Sequence, residues 1–175
     1  MNQTVQDAIN GQINAELSAS YSYLGMSAYC EKQNFMGCAR WLRLQSQEEY
    51  LHAMKLFDFM LARNGYVELK AIAEPDVAFG SVIEVFERTY EQEQDVSRQI
   101  DALYELALKE RAFAAMVELE WFLMEQVEEE KSAREIVRKF HLVRHDPASL
   151  LDLDRELGTR IPGGSRLPKP VPAAE

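Results

Sequence analysis

The fold of this chain is decided by residues 47–52, QEEYLH, which lie in the middle of a long stretch with helical periodicity. Glu49 and His52 are three residues apart, so one helical face presents both side chains. The rest of that face is mainly apolar and comprises Cys38, Trp41, Leu42, Gln45, Leu56, Phe59 and Met60. Burying a carboxylate there is costly unless a cation or hydrogen bonds compensate its charge. The stretch therefore predicts a buried polar site inside a helix bundle.

The same polar pattern occurs in both halves of the chain. A constant offset of 77 positions relates the first set to the second set. The first set is Glu16, Glu49 and His52, and the second set is Glu93, Gln126 and Glu129. A single helical glutamate is usually a solvated residue in a surface ion pair. All six positions lie on core-facing stripes, however, and this joint pattern indicates one shared site.

The periodicity predicts an all-α chain of four long helices. The first helix is expected over about residues 4–32, and the second ends near Arg63 at Asn64-Gly65. Asn34 is expected to cap the start of the second helix. An irregular stretch over residues 66–80 would span the bundle from end to end. The short link between the first two helices predicts an antiparallel hairpin.

The second half of the chain follows the same pattern. Ser81 and Glu84 form a capping box that opens the third helix. Helical character then continues to about Phe140, and a single helix of that length would be about 90 Å long, so we expect a turn near Glu110. Asp146-Pro147 opens a short fifth helix that Gly158 ends. Residues 159–175 are rich in proline and are expected to form a mobile or loosely docked tail.

Composition narrows the classes of partner and compartment. The net charge of −10 disfavours nucleic acid and anionic membranes and favours cations. The N-terminus has no signal-peptide pattern, and no apolar run approaches the roughly 20 residues that a membrane span needs. Cys30 and Cys38 lack a CxxC partner and are expected to be reduced, packed thiols. We therefore expect a cytoplasmic protein.

The four predicted helices each bring carboxylate or amide groups to the core. One Glu from each of two helices, with Glu-x-x-His from each of the other two, is the pattern of di-iron and di-manganese carboxylate bundles. This chain has Glu-x-x-His once and Gln-x-x-Glu in place of the second copy. Two divalent cations would neutralise a buried charge of about −4. Carboxylate oxygens with one imidazole suit iron or manganese better than zinc.

Four motifs resemble those of the non-haem bacterial-type ferritins over about residues 1–158. They are Asn14-Ala15-Glu16-Leu17 with Tyr23, residues 47–52, Tyr90-Glu91-Gln92-Glu93, and Trp121 with residues 125–131. The resemblance implies a ferritin-like four-helix bundle with one long crossover, a short fifth helix and a Pro-rich C-terminal tail. The domain would end at residue 158.

The resemblance also implies a di-iron ferroxidase centre. Glu49 would bridge two irons, with Glu16 and His52 on the first and with Glu93 and Glu129 on the second. Gln126 would hydrogen-bond a ligand or a bound oxygen species rather than coordinate the metal strongly. Tyr23 would donate a hydrogen bond or an electron, or would only pack with its hydroxyl satisfied.

A third, looser iron position is also part of the resemblance. It would use Glu48, Glu125 and Glu128, although these residues would equally form a solvated acidic face. Bacterioferritins carry a haem-ligating methionine at the position of Tyr50, so haem binding is not expected. Trp121 is expected to pack against its neighbours.

The function implied by the resemblance is iron storage. Iron(II) would be oxidised by dioxygen or hydrogen peroxide, and the iron(III) mineral would be stored in a cage of 24 subunits. Two alternatives stay open at this stage. One is a di-iron or di-manganese oxidase or peroxidase that forms no mineral, and the other is a metal-free helical interaction module.

Overall fold

The computed structural model describes residues 2–163, and these form five α-helices without a β-strand. The helices are α1 (Gln3–Lys32), α2 (Met36–Ala62), α3 (Val82–Lys109), α4 (Phe113–Val143) and α5 (Pro147–Leu157). Helices α1 and α2 pair as one hairpin and α3 and α4 as another, and a crossover without regular secondary structure joins them. This all-α bundle with one long crossover confirms the predicted fold class.

The first three helices end in the same way. The residue at the second position after each helix has a positive φ: 63° at Asn34, 54° at Asn64 and 54° at Arg111. The next backbone N–H then reaches back to the last turn; Phe35, for example, donates to the carbonyl of Cys30 at 2.9 Å. This is the hydrogen-bond pattern of the Schellman motif. The turn expected near Glu110 is therefore present, although an arginine occupies its left-handed position.

The expectation that Asn34 caps α2 was wrong. Asn34 instead ends α1, because its left-handed backbone reverses the chain there. Phe35 precedes α2 and offers no side-chain cap. The backbone N–H of Cys38 instead donates to Oδ1 of Asp154, on α5, at 2.8 Å. The cap of α2 is therefore a tertiary contact, which local sequence does not reveal.

The starts of α3 and α5 follow the predicted chemistry. Ser81 Oγ accepts from the N–H of Glu84 at 3.1 Å, and Asp146 Oδ1 accepts from that of Ala148 at 3.1 Å. The carboxylate of Glu84 reaches back one residue beyond a standard capping box, to the N–H of Gly80 at 2.6 Å.

The crossover lies along α1 and is held there by two asparagines. Asn10 accepts from the N–H of Glu68 at 2.9 Å and donates to the carbonyl of Tyr66 at 2.9 Å. One helical turn later, Asn14 repeats this pairing with the N–H of Lys70 and the carbonyl of Glu68, both at 2.7 Å. The amide side chains thus satisfy backbone groups that no sheet or helix would satisfy.

Two hydrophobic clusters occupy the two ends of the bundle. One is centred on Trp41, Phe86 and Phe140, and the other on Ile9, Leu56 and Phe122. Each long helix contributes apolar residues to both clusters and passes through the polar layer between them. Residues 16, 49, 93, 126 and 129 lie in that middle layer, so the folded core places the predicted site at mid-height.

Helix α5 packs against α2 and α4, with Leu153 and Leu157 buried. The chain continues past α5, and Arg160 is itself buried, at 3% exposure. The predicted tail is therefore docked at this residue. The rest of that prediction, for residues 164–175, lies outside the described residues. No helix in the described part of the chain is long and apolar enough to cross a membrane.

Candidate metal centre

All six residues of the repeated polar pattern are buried in the middle layer, each with 5% exposure or less. They are Glu16, Glu49, His52, Glu93, Gln126 and Glu129. Helical spacing explains why they converge, because each lies on the stripe that its helix turns toward the core. Acidic side chains are almost never fully buried unless they are paired or bind a cation.

Glu16, Glu49 and His52 form one group that could hold a metal ion, with ligand atoms all within 4.8 Å of one another. Nδ1 of His52 lies 3.2 Å from Oε2 of Glu49. Oε1 of Glu16 accepts from the Gln12 amide at 2.9 Å, whereas Oε2 of Glu16 is buried with no hydrogen-bond partner among the described residues. A buried acceptor without a hydrogen bond lowers the stability of the fold, and a bound cation would compensate for the missing hydrogen bond.

His52, Glu125 and Glu129 form a second such group, and the two groups share His52. This arrangement differs from the expected one, in which Glu93 would pair with Glu129. Glu125, expected at a third and looser position, lies within reach of His52 and Glu129.

Glu93 belongs to neither group and is held by hydrogen bonds from two side chains. The hydroxyl of Tyr23 donates to Oε1 of Glu93, and the amide of Gln126 donates to Oε2 at 3.3 Å. Tyr23 is fully buried. The two residues predicted to assist the centre therefore both contact this carboxylate.

Gln45 links the two groups. Its Nε2 donates to Oε1 of Glu49 at 3.0 Å and to Oε2 of Glu129 at 2.8 Å. Hydrogen bonds of this kind orient metal-binding carboxylates and fix which oxygen faces the ion.

The electrostatics of the centre favour added positive charge. Burial and the charge of Glu49 raise the pKa of Glu16 well above its ordinary value, and the same two causes raise the pKa of Glu93 to about 8. Burial alone would raise the pKa of Glu49, but the hydrogen bond and charge of His52 lower it. Burial disfavours the charged form of His52, yet Glu49 raises the pKa of this imidazole. Burial and the charge of Glu93 raise the pKa of Tyr23.

The donor set is therefore rich in carboxylate oxygens and contains one imidazole. Hard oxygen ligands of this kind suit iron and manganese. The two cysteines are not part of it: both are buried among apolar residues, and burial raises the pKa of the Cys30 thiol to about 12.

Comparison with known proteins agrees with this geometry. A model of the ferritin-like domain matches residues 6–143. The bacterial non-heme ferritin of Bacteroides fragilis (strain 638R) is 39% identical over 160 residues, covering 91% of this chain and 99% of that protein. For the same protein of Staphylococcus aureus (strain MRSA252), identity is 33%, with coverages of 91% and 96%. The chain belongs to the ferritin family.

Solved structures show the same relationship. An open-pore ferritin from the hyperthermophilic archaeon Archaeoglobus fulgidus superposes with a TM-score of 0.91 and 43% identity, covering 92% of this chain and 99% of that one. An engineered closed form of the Archaeoglobus fulgidus ferritin gives a TM-score of 0.90, also at 43% identity, with coverages of 92% and 98%. Membership of the ferritin family supports iron binding and iron storage as the general role of the chain.

The residues expected at a third iron position, Glu48, Glu125 and Glu128, do not together form either of the two metal-binding groups among the described residues. Glu48 is ion-paired with Arg160, and Glu128 is exposed on α4. Among the described residues, the two groups that could hold a metal include Glu125 but neither Glu48 nor Glu128.

Trp121 lies at the outer side of His52. The two rings meet edge to face with centroids 5.3 Å apart, and Nζ of Lys55 lies 5.1 Å from the centre of the Trp121 ring. Lys55 also pairs with Glu118 at 2.9 Å. Trp121 is 40% exposed, so it is a partly open wall of the centre rather than a core residue.

Sequence reasoning missed three residues that contact the centre or its supports. Gln45 lies on the apolar stripe one helical turn before Glu49, and its position on that stripe does not by itself indicate a role. Gln12 likewise precedes Glu16 by one helical turn and donates to it. A polar residue one turn before an expected ligand is therefore the sequence pattern that could identify such supporting side chains. Arg160 follows α5, and no local pattern marks it.

Proposed function

We propose that this ferritin oxidises iron(II) to iron(III) with dioxygen or hydrogen peroxide as oxidant, and that it stores the product as a ferric mineral. The observation that carries the proposal is the pair of acidic groups that share His52, buried except for the partly exposed Glu125, each of which could hold a metal ion. Iron is the substrate of this reaction. The expected ligands stay Glu16, Glu49, His52, Glu93 and Glu129, with Glu125 added by its position.

The residues themselves favour oxidation. Iron(III) carries more charge than iron(II) and gains more from anionic ligands, so a carboxylate-rich centre lowers the free energy needed to remove an electron. Gln45 holds Glu49 and Glu129 toward each other. Tyr23 and Gln126 hold Glu93, which would have to exchange those hydrogen bonds in order to bind an ion.

Storage requires a closed assembly, which we propose is a cage of 24 copies in the cytoplasm. Exposed apolar side chains on the outer face of the α1–α2 hairpin support association between copies. They include Leu24, Tyr50 and Leu51, with exposures of 45%, 50% and 61%. Light scattering of the purified protein tests this directly, since a particle of one or two chains would contradict a cage.

The oxidation is tested by mixing metal-free protein with iron(II) and following iron(III) absorbance after oxygen is admitted. Glu49→Ala and His52→Ala are expected to abolish the fast phase. The matched controls are Glu91→Ala and His141→Ala, whose wild-type side chains are exposed and lie in surface ion pairs. Unchanged rates in the first two variants would contradict the assignment. Fast oxidation without a mineral core after repeated loading would instead identify an oxidase that does not store iron.

A further inference from the structure

Arg160 lies three residues beyond the end of α5, yet its side chain is only 1% exposed. Its guanidinium carbon lies 4.6 Å from the centre of the Trp41 ring. Nη1 donates to the carbonyl oxygen of Trp41 at 3.3 Å and to Oε1 of Gln45 at 3.0 Å, and Nη2 pairs with Glu48. Burying a guanidinium this deeply costs free energy unless hydrogen bonds and an opposite charge compensate it. Here four groups contact it: the ring and the carbonyl of Trp41, the amide oxygen of Gln45 and the carboxylate of Glu48.

The contact with Gln45 determines which way that amide faces. A glutamine amide has one oxygen that accepts and one nitrogen that donates twice. With Arg160 on Oε1, the nitrogen faces Glu49 and Glu129 and donates to both. The opposite orientation would set the oxygen against two carboxylates and the NH₂ against a guanidinium. Every one of these hydrogen bonds would then be lost.

We infer that Arg160 is a positioning residue for the metal centre, acting through Gln45 on Glu49 and Glu129. The inference rests on the proposed function, because it assigns those two carboxylates to iron.

The fold delivers Arg160 to this place by docking α5 on the start of α2. Asp154 accepts from the N–H of Cys38, and Gly37 lets the carbonyl of Asp154 approach the α2 backbone. Trp41 and Gln45 follow on the next two turns of α2. The segment after α5 is thereby part of the support of the centre, although it lies outside the four-helix bundle.

The test uses the full chain without iron, with Co²⁺ added anaerobically as a spectroscopic probe. Arg160→Gln is expected to weaken Co²⁺ binding by about tenfold or more and to change the d–d absorption, since supporting hydrogen bonds have effects of that size. Arg155→Gln is the matched control, because Arg155 is an exposed arginine of α5 paired with Asp152. It should leave both the affinity and the spectrum unchanged.

A double-mutant cycle separates positioning from packing. In a Gln45→Met background, Arg160→Gln should have little further effect on Co²⁺ binding, because the link is already cut. If Arg160→Gln does not fold, Arg160→Met keeps the aliphatic stem against Trp41 and is expected to give the same loss of affinity. Wild-type affinity and spectrum in the folded variant, or an equal loss in both backgrounds, would overturn the inference alone. A wild-type chain that binds no Co²⁺ would overturn the proposed function and this inference with it.

Discussion

Oδ1 of Asp154 accepts a hydrogen bond from the backbone N–H of Cys38 at 2.8 Å, although the two residues are 116 positions apart. This contact caps a helix that has no side-chain cap of its own. We expect Asp154→Ala to lower the free energy of unfolding by about 0.5–2 kcal/mol, the usual effect of losing a cap. Urea unfolding of the metal-free protein measures it.

Asp152→Ala is the matched control for that substitution. Asp152 lies on the same helix, is exposed and pairs only with Arg155 among the ion pairs of the described residues. Its removal should change stability by less than about 0.5 kcal/mol. Equal losses in the two variants would mean that the hydrogen bond to Cys38 does not stabilise α2.

Gly37 is required by the close approach of α5 to α2. A Cβ added there would lie 1.7 Å from the carbonyl oxygen of Asp154, which is backbone and has no room to move. We expect Gly37→Ala to cost about 3 kcal/mol or more and to undock α5, since overpacking costs of this order arise even where neighbours relax. Limited proteolysis should then cleave near residues 144–146, between α4 and α5.

Gly11→Ala provides the comparison for Gly37→Ala. A Cβ at Gly11, which is exposed in the interior of α1, would meet no atom within 4 Å apart from its chain neighbours and the backbone of its own helix. Alanine there should stabilise the protein by about 0.5–1 kcal/mol, because it restricts the unfolded chain and favours the helix. A similar loss of stability in both glycine variants would contradict the proposed packing of α5.

The sequence predicted the helices and the buried polar layer because both depend on periodicity within single helices. Glu16, Glu49, His52, Glu93 and Glu129 were found in this way. Contacts that depend on where separate elements meet were not. Asn34 looks like a cap in isolation, yet the chain reversal after α1 requires a left-handed residue there, and Asn34 supplies it.

The side-chain contacts that support the metal centre could not be predicted from the sequence for the same reason. The partners of Arg160 lie on α2, 112 to 119 positions away along the chain. The grouping of His52 with Glu125 and Glu129 depends on how α4 is rotated relative to α2. Spacing within one helix places residues on a face but does not say which face of which neighbour they meet.

Glu16 is expected to destabilise the metal-free protein. Its carboxyl group is buried beside Glu49, its pKa is raised by burial and by that charge, and Oε2 has no hydrogen-bond partner among the described residues. Glu16→Gln places a neutral amide there and removes the cost of burying a carboxyl group whose charged form is disfavoured, so it should raise stability by about 1–2 kcal/mol at neutral pH without metal. Thermal unfolding with and without Co²⁺ measures both effects.

The same substitution should reduce the stabilisation that Co²⁺ provides, because a ligand is lost and stabilisation follows affinity. Glu105→Gln on the exposed face of α3 is the control and should change neither value measurably. A Glu16→Gln variant that Co²⁺ stabilises as much as the wild type would remove Glu16 from the proposed ligands. A variant that is less stable without metal would contradict the expected cost of burying the carboxyl group.

Metal binding should release protons, and the amount should depend on pH. Burial and the charge of Glu49 raise the pKa of Glu93 to about 8, so this group holds a proton at neutral pH in the metal-free fold. The unfolded chain has the ordinary value near 4.5, and so the folded state binds more protons between these two values. The stability that this protonation contributes is present below about pH 4.5 and is lost as the pH rises through about 8.

Metal ligands must be deprotonated, so Glu93 has to lose its proton before it binds Co²⁺. The contribution of Glu93 should therefore make Co²⁺ affinity rise with pH up to about 8 and change little above that value. Titration in weak buffer with a pH indicator, at pH 6.5 and at pH 9, measures the release. Glu93→Gln should release about one proton fewer per chain at the lower pH and show no difference at the higher pH. Glu91→Gln, an exposed neighbour on the same helix, should match the wild type at both. Proton release that does not change with pH would show that Glu93 is already ionised in the metal-free fold, and the centre would then carry its full negative charge before any ion arrives.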